Sequence, residues 1–245
     1  MVISSKFGGA LTHFGKLKKM KKILLIIAGW AGCLGLSAQD IVSNNLGEFD
    51  RISLTGKMNV VLVQGDRNSF EVTLHNAEAD RFSWTVSNGK LNLRLRANTQ
   101  RESSADVKIT YNGVNALEVS GASVRGENTF TGDIFTLTVN NGGNATVSTQ
   151  SKDVTVQADG NSAATLSGKT LYLSINANSK AKIDARALEA RAAFVSTQLG
   201  AEVFVWGTEK LDARAGSNSI IFYKGTPELF KKSTSLMGSI EQFSY

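Results

Sequence analysis

The chain has 245 residues and carries 27 Lys and Arg against 21 Asp and Glu, with two His, one Cys and one Pro. The positive surplus is local: six Lys and no acidic residue fall within residues 1–38, so the remainder balances at 21 against 21. That neutrality leaves no phosphate-neutralising surplus for a nucleic-acid role, and one Cys, Cys33, allows neither a disulfide framework nor a thiolate metal site.

Residues 1–38 read as an export signal. Lys16, Lys18, Lys19, Lys21 and Lys22 precede the apolar run Ile23 to Ala31, and small residues follow up to Ala38. A charged region, a short apolar region and a small residue before the break define a secretory signal peptide. Cleavage is expected after Ala38. Met20 opens a complete signal by itself, so residues 1–19 read as an over-long start. The alternative is lipidation of Cys33 in Ala31-Gly32-Cys33, which would anchor the protein to a membrane; Trp30 and the apolar residues after Cys33 argue against it. The apolar run is too short and too interrupted by Gly to span a bilayer, so no transmembrane span is expected in the mature chain.

Residues 39–113 read as an N-terminal β lobe. After a polar lead-in, Ile52 and Leu54, Val60 and Leu62, and Phe70, Val72 and Leu74 alternate with polar residues, with breaks at Gly56 and at Gly65 to Asn68. Phe82, Trp84 and Val86 and then Leu91, Leu93 and Leu95 flank Asn88-Gly89, a strong hairpin signal. Residues 98–105 read as a loop, and Val107, Ile109 and Tyr111 as a further strand. Helical turns are expected only at Leu188–Ala192 and Glu228–Lys232.

Residues 114–227 repeat. Ala145, Ala164, Ala181, Ala201 and Ser219 are spaced 19, 17, 20 and 18 residues apart. Each is followed two residues later by Val147, Leu166, Ile183, Val203 or Ile221, and preceded by six by Val139, Ala158, Ile175, Val195 or Ala213. Gly142, Asn161, Asn178, Gln198 and Gly216 form polar corners three residues before each small residue. A period near 18 with alternating strands and corners tolerant of positive φ predicts a β-solenoid. Its last coil would expose an edge, and residues 228–245 are expected to cap it. The predicted fold class is all-β: a short, β-helix-like solenoid with an N-terminal strand-rich lobe.

Several short motifs in order resemble the head GIN, or auto-transporter adhesin, domain family: Phe49-Asp50-Arg51-Ile52, the strand and turn from Val60 to Asp66, Leu117 to Ser123 with its Ser-Gly-Ala-Ser corner, and Tyr223-Lys224-Gly225-Thr226-Pro227. The resemblance covers Phe49 to Tyr245. It implies a β-helical fold, export and an envelope location, and it brings no catalytic residues. The later corners depart from the Ser-Gly-Ala-Ser pattern.

Motifs that could carry chemistry are few. Asn140, Asp159, Asn176, Ser196 and Arg214 stand five before each small residue and are expected to form a ladder of side chains hydrogen-bonded along the rod, rather than a recognition strip. Asn141-Gly142-Gly143-Asn144 is similar to calcium-binding β-roll corners, but those need an Asp in each repeat, and Asp159 is the only carboxylate in these corners. Catalysis on a β-helix needs facing carboxylates; Asp153, Asp159, Asp184, Glu189 and Asp212 fall at different offsets, with Lys182, Arg186 and Arg191 interspersed, and read as a solvated face. His75 reads as a surface residue. No catalytic, cofactor-binding or metal-binding residue is expected.

Tyr172, Phe204, Trp206 and Tyr223 alternate with core columns and are expected to point outward, where aromatics anchor sugars or protein partners. The alternative is cover by the first lobe or by another copy, as in a homo-oligomer. The expected role is a non-enzymatic binding module for a glycan or an envelope or surface protein, exported to the periplasm, outer membrane or cell surface. The rivals are a carbohydrate-active enzyme and a purely structural envelope scaffold.

Overall fold

A computed structural model of the chain describes residues 39–97 and 102–243; the signal peptide, Cys33 and part of the 98–105 loop lie outside them. Eight short strands come first: β1 (Gln39–Asn44), β2 (Arg51–Thr55), β3 (Met58–Gln64), β4 (Ser69–His75), β5 (Phe82–Ser87), β6 (Lys90–Leu95), β7 (Ser104–Tyr111) and β8 (Ala116–Ser120). Five long bent strands follow, β9 (Ser123–Asn140), β10 (Asn144–Ala158), β11 (Ala163–Ala177), β12 (Lys182–Thr197) and β13 (Glu202–Ala215), and then β14 (Ile220–Lys224), β15 (Leu229–Thr234) and β16 (Ser239–Gln242). They wind into a β-solenoid of about seven turns.

Each long strand bends at its middle, so its halves lie on two opposed faces. The first face stacks β1, β4, β7, β3, the first halves of β9 to β13, β14 and β16. The second stacks β5, β6, β2, β8, the second halves of β9 to β13, and β15. Side chains alternate across a strand, and in-register parallel pairing turns each inward position into a continuous column. On the first face one column runs Val107, Val60, Val124, Ala145, Ala164, Ile183, Val203, Ile221, Ile240. Opposite it runs Leu91, Ile52, Leu117, Leu137, Val156, Ile175, Val195, Ala213. Nearly all of these residues are buried. At roughly 1.5–3 kcal/mol for each fully buried Val, Leu or Ile, the columns are the main stabilising element.

The strand-rich N-terminal segment continues this stack. Strands β2 and β3 form one coil. The chain then leaves through β4 and β5 and returns as β6 and β7, which stack on the outer side of β2 and β3. Strands β8 and β9 stack on the other side. The coil that comes first in sequence is therefore held between its two successors. Antiparallel β1, β4 and β5 close that end of the stack.

The corners repeat more regularly than the sequence columns suggest. Paired residues with positive φ fall at Asn141–Gly142, Gly160–Asn161, Ser179–Lys180, Leu199–Gly200, Ser217–Asn218 and Leu236–Met237. Their peptides join the ladder, with Gly142 N–H donating to Gly160 O, Asn161 to Ser179, Lys180 to Leu199 and Gly200 to Ser217. Counted from these corners, Ala181, Ala201 and Ser219 match Gly143 and Ser162, whereas Ala145 and Ala164 pair in register with Ile183. The expected columns thus slip by two residues between the second and third units. A slip of two keeps each side chain on its own face, so the expected core residues stay inside.

Two local expectations are corrected. Residues 188–192 and 229–232 are strand, not helical turns, because adjacent coils capture their backbone groups in β12 and β15. The one short helical turn among the described residues is Ala79–Arg81, ahead of β5. Residues 229–242 add a further coil to the rod, with β15 on β13 and β16 on β14.

Candidate functional site

The outer surface of the first face carries an aromatic cluster near its C-terminal end. Phe204 and Phe222 sit opposite each other in β13 and β14, their rings stacked with centroids 4.7 Å apart and planes 16° from parallel. Phe243 meets Phe204 edge-on at 5.7 Å. From the preceding coil, the Arg186 guanidinium lies 4.6 Å from the Phe204 ring centroid. Trp206 follows the same pattern one outward position along: it pairs with Lys224, whose Nζ stands 4.3 Å from the indole centroid.

The cluster's electrostatics are set by Asp184. Its carboxylate accepts from Arg186 Nε at 2.9 Å, Nη2 at 2.5 Å and the Arg186 backbone N–H at 3.1 Å. These contacts hold the Asp184 carboxyl below its ordinary pKa, against the opposing effect of partial burial. The bidentate clamp fixes the guanidinium over Phe204 and removes most of the entropy cost of placing it there.

The four aromatics expected to share a surface divide three ways. Phe204 and Trp206 point outward together, half-buried. Tyr172 is 53% exposed on the opposite face, in register between Asp153 and Ala192. Tyr223 is a correction: it pairs with buried Val205, faces inward with Ile221, and packs against Phe230 at 4.8 Å. Phe222, Arg186 and Lys224 were not picked out from the sequence as members of one cluster. The usable signal was the 18-residue offset that takes Phe204 to Phe222 and Trp206 to Lys224.

The acidic residues are placed apart. Asp184 lies on the first face, Asp153 and Asp212 on the second, Asp159 at a tight corner and Glu189 at the bend. Asp212 is paired with Arg214 at 3.1 Å and Glu189 with Lys169 at 3.1 Å. The expected polar ladder is corrected too. Asn176, Ser196 and Arg214 share one row, but Asn140 and Asp159 lie two positions off it. Asn176 and Arg214 make their side-chain hydrogen bonds within coils, Asn176 from Asn178 and Arg214 to Asp212. His75 is a surface residue whose Nε2 is 2.8 Å from Asp106 Oδ2. Among the described residues, no three His, Cys, Asp or Glu converge as a metal site, and no helix is long and apolar enough to cross a membrane.

A surface concavity of about 820 Å³ lies where residues 88–89, 112–115 and 131–134 meet. Two of its carboxylates are engaged: Asp50 accepts from Asn115 Nδ2 at 3.1 Å, and Asp133 pairs with Lys152 at 2.7 Å.

The fold is a two-faced β-solenoid, whose outward side chains are set in rows by the coil spacing. The chain belongs to the family described as "Putative auto-transporter adhesin, head GIN domain", which matches residues 48–227. Among solved structures, it is similar to a "putative adhesin" of Bacteroides fragilis at 21% identity and TM-score 0.76, covering 84% of this chain and 98% of that one. It is also similar to "putative adhesin" structures from Parabacteroides distasonis, at 18% identity and TM-score 0.67 over 85% and 97% of the two chains, and from Parabacteroides merdae, at 15% and 0.66 over 85% and 96%. At these identities the likeness is one of fold. No curated protein matches the chain.

Proposed function

We propose that this is an exported, non-catalytic surface protein that binds a partner in the manner of an adhesin, through the outer aromatic cluster of the first face. The proposal includes removal of residues 1–38 on export and display at the envelope or cell surface. It draws on the adhesin description of the family and on one structural observation, the stack Arg186–Phe204–Phe222 beside Trp206–Lys224.

That stack bears on the kind of partner. A sugar ring docks flat on an aromatic face. Phe204 has Phe222 against it from the following coil and Arg186 against it from the preceding one. With Phe222, Arg186 and Phe243 all against it, the ring leaves no open face for a sugar to stack on. Aromatic and Arg side chains standing in a flat, partly desolvated patch are the usual anchors of protein–protein contacts. The reading therefore favours a protein partner over a stacked glycan.

The test is a binding screen of the purified protein against surface-protein and glycan arrays, with the Phe204→Ala/Trp206→Ala variant alongside and mass analysis of every bound glycan. Protein capture weakened at least about tenfold in the variant, with the unfolding midpoint nearly kept, is the expected result. A glycan bound and shortened would replace the reading with an enzymatic one.

A further inference from the structure

The C-terminal coil differs chemically from every coil beneath it. Among the described residues, β15 and β16 have strand partners on one side only, and all six residues of β15 are exposed. Its corner is Leu236–Met237, 73% and 83% exposed, both with positive φ. Two large apolar side chains therefore occupy the turn that other coils build mostly from Gly, Asn and Ser. Leu229 is 66% exposed on the same coil. Lys232 sits on the inward column directly after Ala213, and Lys231 follows Asp212 on the outward one.

Three occupants of this edge can be compared. A lipid surface would suit Leu236 and Met237, but it offers nothing to the unpaired N–H and C=O groups of two strands, each costing several kcal/mol in hydrocarbon. A second copy pairing β15 with β15 about a two-fold axis lays either Lys231 or Lys232 against its own counterpart in each register that overlaps most of the strand, and directly opposed like charges destabilise a sheet. An added strand from a different protein satisfies the backbone, covers Phe230 and Ile240, and turns the two Lys from a liability into a specificity element when it carries carboxylates opposite them.

We propose that the edge formed by β15 and β16 receives an extended strand from a partner protein bearing adjacent acidic residues opposite Lys231 and Lys232. This edge adjoins the aromatic cluster at Phe243, beside β16, but the proposal rests on β15 and its two Lys and not on the cluster. The competing reading is that the two Lys only blunt the edge against aggregation.

The probe is a peptide of about ten residues, alternating Thr and Val around a central Glu-Glu pair, compared with its Lys-Lys counterpart. The acidic peptide is expected to bind at least about tenfold more tightly and to slow amide exchange across residues 229–234. The Lys231→Glu/Lys232→Glu variant, altered only at exposed positions, should reverse the preference. The Phe204→Ala/Trp206→Ala variant should retain it, so failure here is distinguishable from failure of the aromatic reading. Equal affinity for the two peptides, binding by neither, or protection elsewhere in the chain overturns the proposal. So does self-association that blocks the edge in sedimentation measurements.

Discussion

Ser162 and Ala181 occupy the same place in successive coils, yet only one of them suits it. Lys182 N–H donates to Ser162 O, and Glu202 N–H to Ala181 O, at 2.9 Å in both cases, so the backbones around the two positions superpose along the rod. Ala181 and Ala201 fill the corner with a methyl group. Ser162 places a hydroxyl there, 1% exposed and without a hydrogen-bond partner. Ser219, at the same place three coils on, is satisfied instead, with contacts to Thr197 and Gly216. A buried unpaired hydroxyl costs about 1 kcal/mol or more. Ser162→Ala is therefore expected to stabilise the fold by about 1 kcal/mol, raising the calorimetric midpoint by roughly 2–4 °C. A drop in midpoint would show that the hydroxyl has a partner.

A similar conflict sits at Leu199. It takes a φ of 54° at an exposed corner, where the equivalent residues of other coils include Asn141 and Gly160, types that tolerate the left-handed region. Leu199→Asn removes little buried apolar surface and should stabilise by about 1 kcal/mol. Chemical denaturation checks this, with an unchanged slope and a raised midpoint.

These corners also show what was legible in the letters. Alternation of apolar and polar residues fixed which side chains face inward, because parity survives a slip of two. It did not fix which residue stacks on which: small residues occur at both the corner position, as in Ala181, and the next inward position, as in Ala164. The order of coils was hidden for a related reason. Strands β6 and β7 carry the same alternating pattern whether they stack outside β2 and β3 or beyond them, and only tertiary pairing chooses. The aromatic cluster was half visible. Phe204 and Trp206 follow from parity, whereas Tyr223 belongs to the inward parity of Ile221. The roles of Arg186 and Lys224 depend on rotamers that no spacing reports.

Gly168 tests the bend rather than the corner. Its φ is 113°, and a Cβ there would lie 2.0 Å from the Thr149 carbonyl oxygen of the coil below. Either the coils separate or the ladder breaks. Gly168→Ala is expected to destabilise by about 3 kcal/mol or more. The loss should appear in amide exchange first at β10 and β11, whose ladder passes through this contact.

Tyr111 makes the solenoid sensitive to alkali. The residue is buried, its ring stacks on Phe130 at 5.4 Å, and its hydroxyl has no hydrogen-bond partner. Burial penalises the phenolate and raises the pKa from 10.0 to about 12. The sign follows from linkage: the unfolded chain releases the proton near pH 10 while the folded chain keeps it, so the unfolded state gains stability as pH rises. The contribution is intact below pH 10 and is lost progressively between 10 and about 12. Denaturation midpoints measured across that window should fall in the wild type. In Tyr111→Phe the part of the fall that belongs to this residue should vanish, and the neutral-pH midpoint should hold or rise, since no hydrogen bond is removed. An identical alkaline fall in both proteins would assign the sensitivity to other groups and leave the Tyr111 hydroxyl solvated.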